Sequence, residues 1–336
     1  MLTGSASPWS PRSAVSNSFD QPGGSRPGDA AESDVLGLAA SSVGCLLLPP
    51  EAWSDAYANA PESSGDLQPF LREGESTGQF QEYSSRARAG FEILRRELLA
   101  FSPDAIVLVC CQRQGEVSVV TTTFKVVGGS SEPERQRADY RPRERDFVTF
   151  LLDCLVANDI DIAWDQGEAT SMTESLDILR EALLFDLDVP VIPLLINTTV
   201  PPLPSAERCW NLGLVLRKAL SRRPERVAVV ASGGLSYDPL GRWVDEPLDR
   251  WFLEALESED SDGLKKLFKV ETDALAGPTG EIRTWIVTAA ACGGSATIVD
   301  YFPARQAKAG VGFALWKSAP SDSHKREVHG EVSRSI

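Results

Sequence analysis

Apolar residues in this chain fall into short unbroken runs, and between the runs they recur every three or four positions. The runs SVGCLLLP (42–49), AIVLVCC (105–111), VPVIPLLIN (189–197) and RVAVVAS (226–232) have strand length and no polar alternation, which predicts strands buried on both faces. EVSVVTTTFKVV (116–127) and DIDIAWD (159–165) add two more strands, the first rich in β-branched residues. Phe91, Leu94, Leu98 and Leu99 sit at helical spacing within 79–104. Further helices are predicted over 144–158, 172–185 and 205–220, the last opened by Ser205 as N-cap. Residues 247–292 read as largely helical, and 294–317 as a final pair of short strands.

Strands alternating with helices predict an α/β fold with a mostly parallel central sheet covered by helices on both faces. In such folds ligands sit at the carboxyl ends of the strands. That expectation gathers Pro49–Trp53, Cys111–Gln114, Asp165–Glu168, Asn197–Pro201 and Gly233–Asp238 around one rim.

Composition narrows the picture at both ends. Residues 1–38 are rich in Ser, Pro and Gly without apolar period, and 319–336 read the same way, so both are expected to be disordered tails flanking one domain over 39–318. A chain of 336 residues with 42% hydrophobic content is long enough for a large core. A formal charge of −15 and a pI near 4.7 argue against a nucleic acid or an anionic membrane as partner. No apolar stretch reaches the length of a membrane span, and the N-terminus lacks the pattern of a signal peptide. Six cysteines without a CxxC pair read as reduced thiols, and a cytoplasmic location is expected.

One ordered series of segments carries the chemistry. VPVIPLLINTTVPPLPSAERCWNLGLVLRKAL, then RVAVVASGGLSY, LDRWFLEAL and GEIRTWIVTAAACGG, resembles the class III extradiol ring-cleavage dioxygenases, the family of the protocatechuate 4,5-dioxygenase catalytic subunit. The resemblance spans roughly residues 42–317 and is strongest over 189–292. It implies an Fe(II) held by two histidines and a glutamate, with open positions for a catecholic substrate and O₂. It also implies an acid–base histidine directly after the GGLS segment.

This chain departs from that pattern at every histidine. The segment expected to follow the first strand, LLLPPEAWSD, has none. Gln112 stands at the second position, Gln166 replaces the histidine of an Asp-His-Gly triplet, and Tyr237 follows GGLS; the carboxylate alone persists, as Glu281. The whole chain holds two histidines, His324 and His329, both in the polar C-terminal tail.

Several readings follow. In the first, glutamines fill the space of imidazoles without their metal affinity, Tyr237 plugs the old pocket, and the protein is a non-catalytic subunit or a binding protein. It would then work without a cofactor, in a homo- or hetero-oligomer that could include a histidine-complete relative. In the second, an active oxidoreductase or lyase acts on a small catecholic or aminophenolic aromatic through an oxygen-only metal site of Glu51, Asp165 and Glu281, helped by Gln112. Such a site suits Mg²⁺ or Mn²⁺. The third keeps that kind of substrate but uses no metal, with Tyr237 as acid and Asp165 or Asp238 as base. Trp53, Gln112, Gln166, Ser236 and Asp238 are expected to line the pocket in each case. Trp164 and Trp210 are further candidates for an aromatic cleft. Of Cys110 and Cys111, alternation along a strand lets only one face a pocket.

Overall fold

The computed structural model describes residues 35–41, 46–47, 77–111, 123–127, 142–165, 174–198, 201–237, 244–269, 277–305 and 307–317. In chain order its elements are β1 (Val35–Ala40), α1 (Thr77–Phe101), β2 (Ala105–Cys111), β3 (Phe124–Val127), α2 (Pro142–Val156), β4 (Ala163–Asp165), α3 (Glu174–Ala182) and β5 (Val191–Ile196). These are followed by α4 (Ala206–Leu220), β6 (Val227–Ser232), α5 (Glu246–Glu257), α6 (Ser261–Lys266), a 3₁₀ turn (Gly277–Glu281), α7 (Ile282–Cys292), β7 (Thr297–Ala304) and β8 (Ala309–Lys317).

The strands form one eight-stranded sheet in the order β4-β3-β5-β2-β6-β1-β8-β7. Its centre, β5-β2-β6-β1, is parallel throughout, and each of these strands reads as a buried apolar run for that reason. Alternation then divides the core. Ile106, Leu108 and Cys110 face Phe91, Leu94 and Leu98 of α1 and Leu179 of α3, while Val107 and Val109 face Leu212 and Leu216 of α4 and Trp285 of α7. The buried face of α4 is Cys209, Leu212, Gly213, Leu216, Ala219 and Leu220, a helical stripe in which each fully buried leucine contributes about 2 kcal/mol. Ser205 caps this helix as expected, accepting a hydrogen bond from the Arg208 N–H at 3.2 Å.

Two features depart from the sequence-based expectation. Among the described residues the first strand is Val35–Ala40, VLGLAA, and all six of its residues are buried between β6 and β8; of SVGCLLLP only Leu46 and Leu47 are described, and neither is in a strand. Both segments are apolar, and the first is preceded by polar residues that made it look like the end of a tail. Only pairing with β6 distinguishes them.

The second departure concerns the sheet's far edge. β3 runs antiparallel to β5, with Phe124 opposite Ile196 and Val126 opposite Leu194. β4 runs parallel to β3, with Val127 opposite Asp165. β4 therefore runs against the central strands, and Asp165 ends it on the side away from their carboxyl ends. Four inter-strand steps from β6, at about 4.8 Å each, also put β4 roughly 19 Å away along the sheet.

Candidate functional site

The carboxyl ends of β1, β2, β5 and β6 converge on one edge of the sheet, where the chain continues as Ser41, Cys111, Asn197-Thr198 and Gly233-Gly234. Glu281 joins them from the start of α7. Its side chain makes no capping bond to its own helix; instead the carboxylate accepts the Gly234 N–H at 2.8 Å. A close approach makes this possible. A Cβ on Gly233 would lie 2.8 Å from Thr284 Oγ1 and 2.9 Å from the Glu281 carbonyl, so only glycine lets the β6 loop pass over the first turn of α7. The Trp285 indole N–H donates to the Gly233 carbonyl at 3.1 Å and fixes the same contact from inside the core.

Cys111 is the rim cysteine, and Cys110 belongs to the opposite face. Burial raises the Cys111 thiol well above its ordinary value, and the neighbouring Glu281 charge raises it further. The Cys111 thiol lies 3.9 Å from the Ser232 carbonyl. It is a protonated, buried donor and not a thiolate.

The GGLSY segment is held by a second carboxylate that sequence reasoning left without a role. Asp249, fully buried on α5, accepts from the Ser236 N–H at 2.7 Å, the Ser236 hydroxyl at 2.8 Å and the Tyr301 hydroxyl at 2.9 Å. Ser236 Oγ also accepts the Asp245 N–H at 3.0 Å. Burial raises the Asp249 carboxyl to about 6, against the lowering effect of these donors. A signal was present in LDRWFLEAL: an aspartate at the position where the helix's apolar stripe, Phe252, Leu253 and Leu256, needs a buried residue.

Tyr237 is clamped through its backbone. Its N–H donates to Thr279 Oγ1 at 3.0 Å, the Thr279 hydroxyl donates to its carbonyl at 3.1 Å, and it bridges to Ala309. The side chain is half-buried.

Of the predicted site residues, the structure brings Ser236, Tyr237 and Glu281 to one rim. Asp165 does not join them: it ends β4, which runs against the central strands at the far edge of the sheet. Trp164, on the same edge strand, is 40% exposed and lines no cleft at this rim. Glu51, Trp53, Gln112, Gln166 and Asp238 lie outside the described residues, as do His324 and His329. Because β1 ends at Ala40, the residues that directly follow it in sequence are Ser41-Ser42-Val43, and LLLPPEAWSD comes only from position 46 on. Neither stretch contains a histidine.

Among the described residues, no histidine stands at this rim. The described polar groups are a carboxylate already engaged by an N–H, a protonated thiol, hydroxyls and backbone carbonyls. Among the described residues no three His, Cys, Asp or Glu side chains gather as metal ligands would. Among them also, no helix is long and apolar enough to cross a membrane.

Residues 176–312 match the family model described as the catalytic LigB subunit of aromatic ring-opening dioxygenase. The chain is 33% identical over 100 residues to a 2,3-dihydroxyphenylpropionate/2,3-dihydroxicinnamic acid 1,2-dioxygenase of Paraburkholderia phymatum, over 29% of this chain and 31% of that protein. It is 34% identical over 105 residues to the gallate dioxygenase of Pseudomonas putida, over 30% and 31% respectively. A longer match, 28% identical over 164 residues, joins it to a 2,3-dihydroxyphenylpropionate/2,3-dihydroxicinnamic acid 1,2-dioxygenase of Xanthobacter autotrophicus, over 46% of this chain and 48% of that protein. The chain thus spans a third to a half of the length of these relatives. An uncharacterized Escherichia coli K12 protein of known structure superposes with a TM-score of 0.45 at 16% identity, over 66% of this chain and 91% of that one.

Proposed function

We propose that this chain, whose residues 176–312 match the family model of the catalytic LigB subunit of aromatic ring-opening dioxygenase, is a non-catalytic member of that family. It keeps the scaffold and the rim without the iron chemistry, and acts as a subunit or a ligand-binding protein. The observation that carries this reading is the position of the two histidines, 324 and 329, both downstream of β8. In the sequence no histidine follows the strands that build the rim: β1 is followed by Ser41-Ser42-Val43, β2 by Gln112 and β6 by Gly233-Gly234-Leu235-Ser236-Tyr237.

The chemistry of those replacements supports it. Serine, glutamine and tyrosine offer neutral oxygens, and a buried thiol stays protonated; none replaces imidazole as a ligand for Fe(II) at neutral pH. Tyrosine, with its ordinary pKa near 10, does not shuttle a proton at pH 7 as histidine does. Tyr237 fills the space of that group, held by Thr279 and Ala309.

The test is metal content measured together with O₂ uptake on catechol, protocatechuate, gallate and 2-aminophenol. The expected result is substoichiometric iron and no ring cleavage by the isolated chain, with or without added Fe(II). Iron at one per chain together with ring cleavage would overturn the proposal. For the subunit form of this reading, affinity capture from a lysate of the source cell should recover a histidine-complete relative or a second copy. A chain that stays alone and monomeric leaves only the ligand-binding form.

A further inference from the structure

The carboxylate that anchors the GGLSY segment is wholly buried, and among the described residues no cation pairs with it. Asp249 Oδ1 accepts the Ser236 N–H, and Oδ2 accepts the hydroxyls of both Ser236 and Tyr301. β8 closes another side: a Cβ on Gly310 would lie 1.9 Å from Oδ2, so the carboxylate touches that strand's backbone. Asp245, at the start of α5, is the one other charge acting on it. Glu246 and Arg250 act on Tyr301; Arg250 lies over the Tyr301 ring at 5.4 Å, and Glu246 is paired with Arg305 at 2.7 Å.

These contacts admit a second protonation state without moving a heavy atom. The Ser236 N–H cannot turn, and the Ser236 hydroxyl is held by the Asp245 N–H that it accepts at 3.0 Å. Tyr301 is half-buried, so its hydroxyl hydrogen can swing toward solvent. A proton taken from solvent onto Oδ2 is then donated to the Tyr301 oxygen, while both Ser236 bonds persist. Each polar group keeps a partner in either state, but only the ionised one holds a charge out of water. Burial accordingly raises the Asp249 carboxyl, to about 6. Relief of the ionised state needs water at the carboxylate. Tyr301 is fixed in the β7–β8 ladder opposite Gly312, whereas Ser236 lies in the connection between β6 and α5, so Ser236 is the side that gives way.

We propose that Asp249 and Tyr301 form a proton-operated latch on the GGLSY segment: one proton on the pair holds the segment against α5, and its loss favours the parting of Ser236 from Asp249. The sign follows from linkage. The closed state binds the proton more tightly than the hydrated one, so the extra closure is present below pH 3.8 and is lost as the pH rises through 6. The same segment carries Gly234, bonded to Glu281, and Tyr237, so the latch acts on the rim whether or not the rim is catalytic.

The test is amide hydrogen exchange of the full chain, read residue by residue at about pH 5 and pH 7.5 and corrected for the intrinsic pH dependence of exchange. The Ser236 N–H, bonded to Asp249, and the Gly310 N–H, bonded to the Ser236 carbonyl, report the latch. Their protection should be lower than that of Val107 and Val109 in β2 at both pH values, the mark of a local opening. It should also fall about tenfold between the lower and the higher pH. Asp249→Asn should remove the fall. Tyr301→Phe takes away the stronger, charge-assisted bond of the ionised state and should move the fall to higher pH; it serves if Asp249→Asn does not fold. Protection equal to that of β2 at both pH values would overturn the proposal, since the segment would then part only when the whole fold does. So would a fall that persists in Asp249→Asn, or one that keeps its midpoint in Tyr301→Phe.

Discussion

The Asp249 carboxylate takes both hydrogen-bond donors of Ser236, the backbone N–H at 2.7 Å and the hydroxyl at 2.8 Å. One buried side chain on α5 thereby sets the path of the GGLSY segment, and with Gly310 it ties that segment to β8. A Cβ on Gly310 would lie 1.9 Å from Asp249 Oδ2, while the Gly310 N–H donates to the Ser236 carbonyl at 2.8 Å.

Replacing this carboxylate should be costly. Asp249→Ala strands the two buried donors of Ser236, N–H and Oγ–H, and the half-buried Tyr301 O–H, and should lower stability by about 3 kcal/mol or more. Asp249→Asn keeps one acceptor oxygen and should cost roughly half as much. Urea denaturation midpoints of the two variants against the parent chain decide the matter; equal midpoints would mean that the network does not hold the loop.

The same group predicts a pH dependence. Its folded-state carboxyl titrates at about 6 against an ordinary 3.8, so the folded state binds the proton more tightly. The contribution is present below pH 3.8 and is lost as the pH rises through 6. Between pH 7 and pH 4 the parent should gain about 2 kcal/mol relative to Asp249→Asn, which cannot take up that proton. The measurement is the difference between their stability–pH curves, which cancels the other carboxylates. A flat difference would show that the group titrates normally.

Gly213 sits inside α4, where alanine would ordinarily be favoured by about 1 kcal/mol. Here the sign should reverse. A Cβ would lie 2.3 Å from the Val287 carbonyl and 2.6 Å from the Ala290 Cβ on α7, so Gly213→Ala must push the two helices apart. The expected net loss is about 1–3 kcal/mol, read from thermal unfolding. A more stable variant would show that α4 and α7 have room to separate.

The core thiols should be inert. Burial pushes Cys110 and Cys209 up to about 12, and Cys111 is raised by burial and then by Glu281. At pH 8 none of the three should react with an aromatic disulfide reagent on the minute timescale, and all should react in denaturant. Glu281→Gln removes the second cause and should lower the Cys111 value without exposing it. Rapid labelling of Cys111 in the native parent chain would contradict its placement under the β6 loop.

Much of this molecule follows from the sequence alone. Unbroken apolar runs mark β2, β5 and β6 because a strand buried on both faces has no solvent side to keep polar. Ser205 announces α4 because a hydroxyl is what its orphaned N–H groups require. The count of two histidines, at positions 324 and 329, is likewise read from the sequence alone, since counting residues needs no geometry. Other features belong to the tertiary structure. VLGLAA and SVGCLLLP are equally apolar, and β1 is the one that pairs with β6. Asp165 ends a strand as expected, but strand direction is set by pairing with β3 and β5, and that reversal takes it away from the rim. Asp249 is one acid among 48 acidic residues until the fold buries it beneath Ser236. Local pattern fixes which residues avoid water; which of them meet is decided by strand order and direction, and the GGLSY segment owes its shape to partners 13 and 42 positions away.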